Sequence, residues 1–290
     1  MDIRFCIVGA GKVGTALAQL LAQAGCEFLG AASRSAASAQ AACRLAGAGR
    51  ATTDAASLTR DAQLVFITTP DDAIARVCAE LAAAKAFARG AVVAHCSGAL
   101  SSEVLQPARA CGAAVGSLHP LQSFATVEQA VELLPGSFCC VEGDAEAVRV
   151  LRRVAGLLGA RFIPLSPEHK ALYHAAAVTA CNFLVALQNA ALKMCEAAGI
   201  PRPDALEALL PLIKGTVENI EAVGLAQALT GPVARGDAET TRLHLEALRE
   251  SLPQLLPLYR TLALEAVELA LEKGTLTPPK AEELRCLLAE

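Results

Sequence analysis

Tryptophan is absent from this chain, and only 3% of its 290 residues are aromatic. With 54% hydrophobic residues, its interior must be aliphatic, built chiefly from Ala, Leu and Val. A large excess of either charge is missing too: the net charge is −4. Residues 1–165 carry 14 basic and 13 acidic side chains, and residues 166–290 carry 11 and 16. Neither half has the basic footprint that nucleic acid requires, so no nucleic-acid partner is expected. No Cys-x-x-Cys pair occurs among the 11 cysteines, an odd number. Several (Cys6, Cys78, Cys181) lie in apolar segments, where a free thiol acts as a small hydrophobe. A reduced, cytoplasmic compartment is therefore expected. His95, Cys96 and His119 match no common zinc spacing, so no metal is expected. A glycine turn interrupts the first apolar run, which argues against a signal peptide. One segment, Ala171 to Leu192, has no formal charge and is long enough to cross a bilayer. Its Tyr173, His174, Thr179, Asn182, Gln188 and Asn189 favour a buried core helix or a subunit interface, with no membrane partner.

What is present starts at the N-terminus. Ile3 to Val8 reads as a buried strand that runs into Gly9-Ala10-Gly11-Lys12-Val13-Gly14, followed by an apolar helical pattern at Val13, Leu17, Leu20 and Leu21. This is G-x-G-x-x-G between a strand and a helix, the context that gives the motif meaning. Gly9 permits the turn, Gly11 lets backbone approach a pyrophosphate, and Gly14 lets the helix pack on the strand. The helix N-terminus then favours phosphate. All six residues are candidate cofactor contacts.

Strand-like runs at 3–8, 28–33, 64–67, 91–95, 113–118, 137–141 and 161–164 alternate with helical patterns at 13–24, 36–46, 72–87, 101–111 and 144–158. That rhythm predicts an α/β fold, a doubly wound and mostly parallel Rossmann sheet, over residues 1–165. Ser166-Pro167-Glu168 reads as a helix start, with a hydroxyl cap and proline in the first turn. Residues 166–290 then read as an all-helical domain with segments 167–198, 203–222, 224–229, 237–249, 252–273 and 278–288.

The second strand ends in Ser33-Arg34-Ser35, without the carboxylate that receives a ribose 2′-hydroxyl in NAD enzymes. A guanidinium between two hydroxyls suits a 2′-phosphate, so NADP(H) is the expected cofactor. Ligands of open α/β sheets bind beyond the carboxyl ends of the strands. Polar clusters fall there: Thr68-Thr69-Pro70, His95 with Ser97, and the stretch from Ser117 through His119 to Ser123. In the helical part, Lys170 and His174 share a face, about 40° apart around the helix. Lys170 at a helix start, and near a nicotinamide, would have a lowered pKa suited to proton donation. Asn182 lies twelve residues on, about 18 Å along a helix. Arg235 is the cation of a glycine-rich turn and could fork onto a carboxylate. Asp237 reads as a cap, with Thr240, Thr241 and His244 following at helical spacing.

The segments GAGKVG, HCSGALSSEVL, GSLHPLQSFA, the Lys170–Val178 run with Asn182 after it, and ALTGPVARGD resemble bacterial proteins with a Rossmann-like domain and a helical C-terminal domain of formerly unknown function. That family is similar in layout to the 6-phosphogluconate dehydrogenase-like group, including ketopantoate reductases and pyrroline-5-carboxylate reductases. The resemblance implies NADP-dependent reduction, a 6-phosphogluconate dehydrogenase-like C-terminal domain, and homodimers built through it. The expected activity is hydride transfer to a small carbonyl acid, a 2-oxo acid such as ketopantoate. Lys170, His174 and His119 would serve as catalytic groups. Arg235, Ser97, Asn182, Thr240 and His244 would face the substrate. The related dehydrogenases place asparagine one turn after the lysine, whereas this chain has His174. Two other readings stay open: an imine reductase, for which Lys170 is dispensable, and an NADP-binding sensor without turnover.

Overall fold

The computed structural model describes residues 3–289. Its eight strands are β1 (Arg4–Val8), β2 (Glu27–Ala32), β3 (Arg50–Thr52), β4 (Leu64–Ile67), β5 (Val92–His95), β6 (Ala114–Leu121), β7 (Phe138–Gly143) and β8 (Arg161–Pro164). They form one sheet in the order β3-β2-β1-β4-β5-β6-β7-β8. Every neighbouring pair is parallel except β6 and β7. The expected doubly wound, mostly parallel sheet is therefore present. β3 was not legible in the sequence, being three partly exposed residues at the sheet edge without an apolar run.

Because side chains alternate along a strand, each strand feeds two cores. Phe5, Ile7, Leu64, Phe66, Val92 and Ala94 point to one face, covered by Leu17 and Leu21 of the helix Lys12–Gln23 and Leu151 and Val154 of the helix Ala145–Leu157. Cys6, Val8, Val65, Ile67, Val93 and Val115 point to the other, under Ile74, Cys78 and Leu81 of the helix Asp71–Ala83. Burial on both faces explains why these strands read as unbroken apolar runs. Aromatics play a small part: Phe5 and Phe28 pair at 5.0 Å in the first of these layers.

Residues Met1–Asn182 form one compact unit and Phe183–Glu290 a second. The first unit thus includes the helix Lys170–Ala180 beyond the last strand. The expected helix start at 166 differs in detail. Pro167–His169 is a 3-10 turn, and the Ser166 hydroxyl makes no capping bond. The Ser166 carbonyl instead accepts from the His169 N–H at 3.0 Å. The expected helix 167–198 is interrupted at Cys181, whose φ of −112° and ψ of −63° separate Lys170–Ala180 from Asn182–Ala197.

The second unit is helical. Arg202–Ala228 replaces two expected helices, with the break surviving as a non-helical Gly224. Ala238–Ser251, Leu256–Lys273 and Pro278–Ala289 follow. Val267, Ala270, Ala281 and Leu284 centre its core. The apolar stretch Pro167–Ala197 is not a core helix: only 11% of its most apolar window is buried. Leu172 and Val185 are 74% and 70% exposed.

Candidate active site

The glycine turn is built as its sequence requires. Gly9 has φ +110°, and a Cβ there would lie 2.6 Å from the Thr69 nitrogen. Its N–H donates to the Ala32 carbonyl at 2.8 Å, and its carbonyl accepts from the Thr68 hydroxyl at 2.6 Å. These bonds tie the ends of β1, β2 and β4 together. Gly14 sits on the Gly9 carbonyl and Ile7, so the helix packs directly on the strand. Gly11 is different: a Cβ there would meet nothing within 4 Å.

That open space belongs to a cavity of about 610 Å³ lined by Gly9, Ala10, Gly11, Ser33, Arg34, Thr68, Thr69 and Pro70. Asp54, Arg76 and Glu80 also line it, and sequence reasoning missed all three. The Thr69 hydroxyl is buried there without a hydrogen-bond partner in the protein. A glycine cradle open at Gly11, a helix N-terminus, an orphaned hydroxyl and the Arg34 guanidinium fit a dinucleotide phosphate chain. Lys12, Val13, Gly14 and Ser35 do not line the cavity. The Lys12 amine donates to the Phe124 carbonyl at 3.3 Å, and the Ser35 hydroxyl caps the helix Ala36–Ala46.

A second polar centre lies where the face bearing Val93 and Val115 turns polar at its carboxyl end. Alternation carries that face to His95 on β5 and to Ser117 and His119 on β6. Antiparallel pairing sets Glu142 opposite Ser117 and Cys140 opposite His119. Lys170 joins them from its helix. It is 1% exposed and donates to the Ser97 carbonyl at 2.8 Å and the Ser117 hydroxyl at 2.6 Å. Burial lowers its pKa, and the Glu142 carboxylate is the leading opposing influence. Glu142 is itself buried, accepting from the Ser102 N–H at 2.8 Å and the Ser102 hydroxyl at 2.7 Å. A lone acid in the apolar strand Phe138–Gly143 was its available signal.

Beside Lys170, the His119 Nδ1 lies 2.9 Å from the Tyr173 hydroxyl. Burial, then the Lys170 charge, pushes the His119 pKa down to about 4. The rings of His119 and His174 stand edge to face at 5.9 Å. Both rings pack closely on Gly98, where a Cβ would lie 2.8 Å from the His119 Nε2 and closer still to the His174 Nδ1, so the position has no room for a side chain. The His174 Nδ1 is buried and unpartnered. Tyr173 was not singled out from sequence, although it lies within the run that holds Lys170 and His174.

Two expected contacts are committed elsewhere. His95 is fully buried: its Nδ1 accepts from the Ser97 N–H at 3.1 Å, and its Nε2 lies 3.2 Å from the Ser101 carbonyl. It clamps the 95–101 loop and does not reach the cavity. Burial brings its pKa to about 4. The Ser97 hydroxyl is saturated, donating to Asp71 at 2.7 Å and accepting from the Ala99 and Leu100 N–H groups. What Ser97 gives Lys170 is its carbonyl.

In the helical unit, Asn182 is exposed at the start of its helix. The Thr240 hydroxyl donates to Asp237 at 2.7 Å, and Asp237 caps its helix as expected. The His244 Nδ1 lies 2.8 Å from the Tyr259 hydroxyl, on an apolar cavity. Arg235 is exposed on the short helix Pro232–Arg235. Among the described residues, no three His, Cys, Asp or Glu side chains converge as a metal group.

Residues 2–120 match the family model of a Rossmann-like domain, and residues 137–266 match a domain of unknown function, DUF2520. These two matches show the layout that the sequence motifs resemble. No curated protein matches the chain. Among solved structures, a Thermotoga maritima protein is 28% identical, with 93% of this chain and 99% of that one covered at a TM-score of 0.74. A candidate NADP oxidoreductase from Bacteroides fragilis is 24% identical, with coverage of 92% and 98% and a TM-score of 0.72. An imine reductase variant from Myxococcus stipitatus, solved with NAD+, is 18% identical, with both chains covered fully and a TM-score of 0.58. The last two share the fold.

Proposed function

We propose that this protein is an NADP(H)-dependent oxidoreductase that reduces a small carbonyl acid, with 2-oxo acids such as ketopantoate the first substrates to test. The observation that carries this reading is the pairing, within one unit, of a cavity at the glycine turn with a cluster of Lys170, Ser117, His119, Tyr173 and His174 near the strand ends. The fold shared with NADP- and NAD-linked oxidoreductases supports it.

Gly9, Ala10 and Gly11 would hold the pyrophosphate, Arg34 and Ser33 the 2′-phosphate, and Thr69 the ribose or nicotinamide side. The bound cofactor supplies the hydride. His119 and His174 would orient the carbonyl. Lys170, with its pKa lowered by burial and two of its three N–H groups committed, would stabilise and protonate the developing alkoxide. The exposed apolar side chains of Leu172, Val185, Leu212 and Leu225 support a homodimer through the helical region. A cytoplasmic setting is in keeping with the free cysteines.

One observation favours imine reduction as a second reading. Lys170 is 1% exposed and donates to Ser97 and Ser117, and a protonated imine needs no proton from it. The test is NADPH oxidation at ~340 nm, the reduced-nicotinamide band, against 2-oxo acids and cyclic imines, with NADH as control. Turnover of one acid, lost in Lys170→Met, is the expected result. Turnover of imines that persists in that variant selects the second reading, and NADPH binding without any turnover overturns both.

A further inference from the structure

We propose that the ion pair of Arg76 and Glu80 reads the edge of the cofactor's adenine. The Glu80 carboxylate accepts from the exocyclic amine, and the Arg76 guanidinium donates to the ring nitrogen beside it. The inference rests on the NADP(H) reading, and it names what the far part of that cavity selects.

The cavity runs well past the phosphate cradle. On the helix Asp71–Ala83 its lining recurs at Ala73, Arg76, Val77, Glu80 and Leu81, and it continues to Ala84 just beyond the helix. That spacing is one face of a helix, followed for about 16 Å. The turn at 53–56 supplies more of the lining, and its Ala55 and Ala56 pack against the same core cluster as Val77 and Leu81. This turn is held rigidly. The Asp54 N–H donates to the Thr52 hydroxyl at 3.0 Å, the Asp54 carboxylate accepts from the Ala56 N–H at 3.1 Å, and the Asp54 carbonyl accepts from the Ser57 hydroxyl at 2.8 Å. With the pyrophosphate at Gly9–Gly11 and the 2′-phosphate at Ser33 and Arg34, the base is the part of the adenosine half still to be placed. The aliphatic stripe of Ala73, Val77 and Leu81 is the part of the cavity still to be filled, and it gives an aromatic ring an apolar surface.

The polar groups on that stripe match the edge of adenine. Adenine carries a donor and an acceptor side by side, its amine next to a ring nitrogen. Arg76 and Glu80 present the complement one helical turn apart, with Nη1 donating to Oε1 at 3.0 Å. Among the described residues neither has another hydrogen-bond partner, so the remaining guanidinium N–H groups and the second carboxylate oxygen are open to a ligand. Their side chains are 62% and 61% exposed, so the pair contributes little to the fold and can turn onto a base at small cost. Its charges cancel, which leaves attraction of the phosphates to Arg34. Hypoxanthine carries a carbonyl oxygen in place of the amine, and that oxygen would stand against the Glu80 carboxylate.

The experiment is titration calorimetry of the intact protein with NADPH and with its reduced hypoxanthine analogue. The parent protein should bind NADPH about three- to tenfold more tightly, the range for one hydrogen bond. In Glu80→Ala the gap should close through weaker binding of NADPH, and Arg76→Ala should cost NADPH a similar factor. Both positions are exposed on a helix that alanine favours, so folding is not at risk. Equal binding of the two dinucleotides by the parent overturns the proposal and leaves the NADP(H) reading standing, as does a gap that persists in Glu80→Ala. Full NADPH affinity in Arg76→Ala overturns the part given to the guanidinium. No binding of either dinucleotide overturns the cofactor reading and this inference with it, whereas the expected gap in a protein that reduces nothing would sink the reductase reading alone.

Discussion

Two glycines of one motif should fail in opposite ways when each is replaced by alanine. At Gly14 the added methyl would lie 2.9 Å from the Ile7 Cγ2 and closer still to the Gly9 carbonyl and the Thr68 hydroxyl. The Gly9 carbonyl cannot give way cheaply, because the Thr68 hydroxyl holds it at 2.6 Å. The helix must shift off the strand, an overpacking cost of about 1–3 kcal/mol. Alanine's better helix propensity offsets up to about 1 kcal/mol of this. Gly14→Ala should therefore unfold several degrees lower, at about 2–4 °C per kcal/mol for a chain of this size class. Gly11 has φ −85° and ψ −169°, an extended geometry open to alanine, with nothing within 4 Å of the new methyl. Gly11→Ala should keep its stability or gain about 0.4–1 kcal/mol from a stiffer unfolded chain. Its methyl, however, occupies the approach of the pyrophosphate. Losing one charge-assisted bond of about 1.5–3 kcal/mol weakens NADPH binding roughly tenfold to hundredfold. The assays are thermal unfolding by circular dichroism and titration calorimetry with NADPH; the lack of tryptophan rules out energy transfer from that residue as a probe. Gly11→Ala binding NADPH as tightly as the parent would refute the placement of the phosphates. Gly14→Ala with an unchanged Tm would refute the packing argument.

Four further outcomes are expected. Lys170→Met leaves the Ser97 carbonyl, the Ser117 hydroxyl and the Glu142 carboxylate without their buried cation, so urea unfolding should show a loss of about 3–5 kcal/mol; an unchanged midpoint contradicts that. His95 has a folded pKa of about 4 against an ordinary 6.5, so the unfolded chain takes its proton first. The stability this imidazole contributes is complete above pH 6.5 and is lost as pH falls toward 4. By pH 5 the loss should be about 2 kcal/mol, and a His95 resonance titrating near 6.5 in the folded protein would disprove it. Arg34→Ser should lower the NADPH-to-NADH ratio of kcat/KM at least about tenfold, from the loss of one charge-assisted contact to the 2′-phosphate; an unchanged ratio assigns the specificity elsewhere. Val185, 70% exposed, should make Val185→Asp monomeric by light scattering if the helical face pairs with a second copy, while the parent protein runs as a dimer.

Local chemistry made much of the fold legible. The strand–glycine–helix start, the alternation of apolar runs with helical patterns, and the cap at Asp237 are each written within a dozen residues, and each formed. So did the concentration of polar residues beyond the strand ends, since a parallel sheet buries its strands on both faces and exposes polar groups only at its rims. Other features depend on partners far along the chain. β6 runs on to Leu121, past the expected end at 118, because β7 returns antiparallel beside it and lends hydrogen bonds. His119 thus sits on a strand and not in a turn. That same pairing, and not any local signal, set Cys140 and Glu142 among the site residues. Whether a polar side chain is free or committed was equally invisible: His95, Ser97 and Lys170 look alike as rim residues, yet their bonds to Ser101, Asp71 and Ser117 span 6 to 53 positions. The sequence by itself determined that this chain folds as a Rossmann unit followed by helices, with a phosphate-ready turn at residue 9, because periodicity and glycine placement act over short range. Only the tertiary structure decided which rim residues face the crevice, because hydrogen-bond satisfaction and burial are properties of side chains brought together from distant strands and helices.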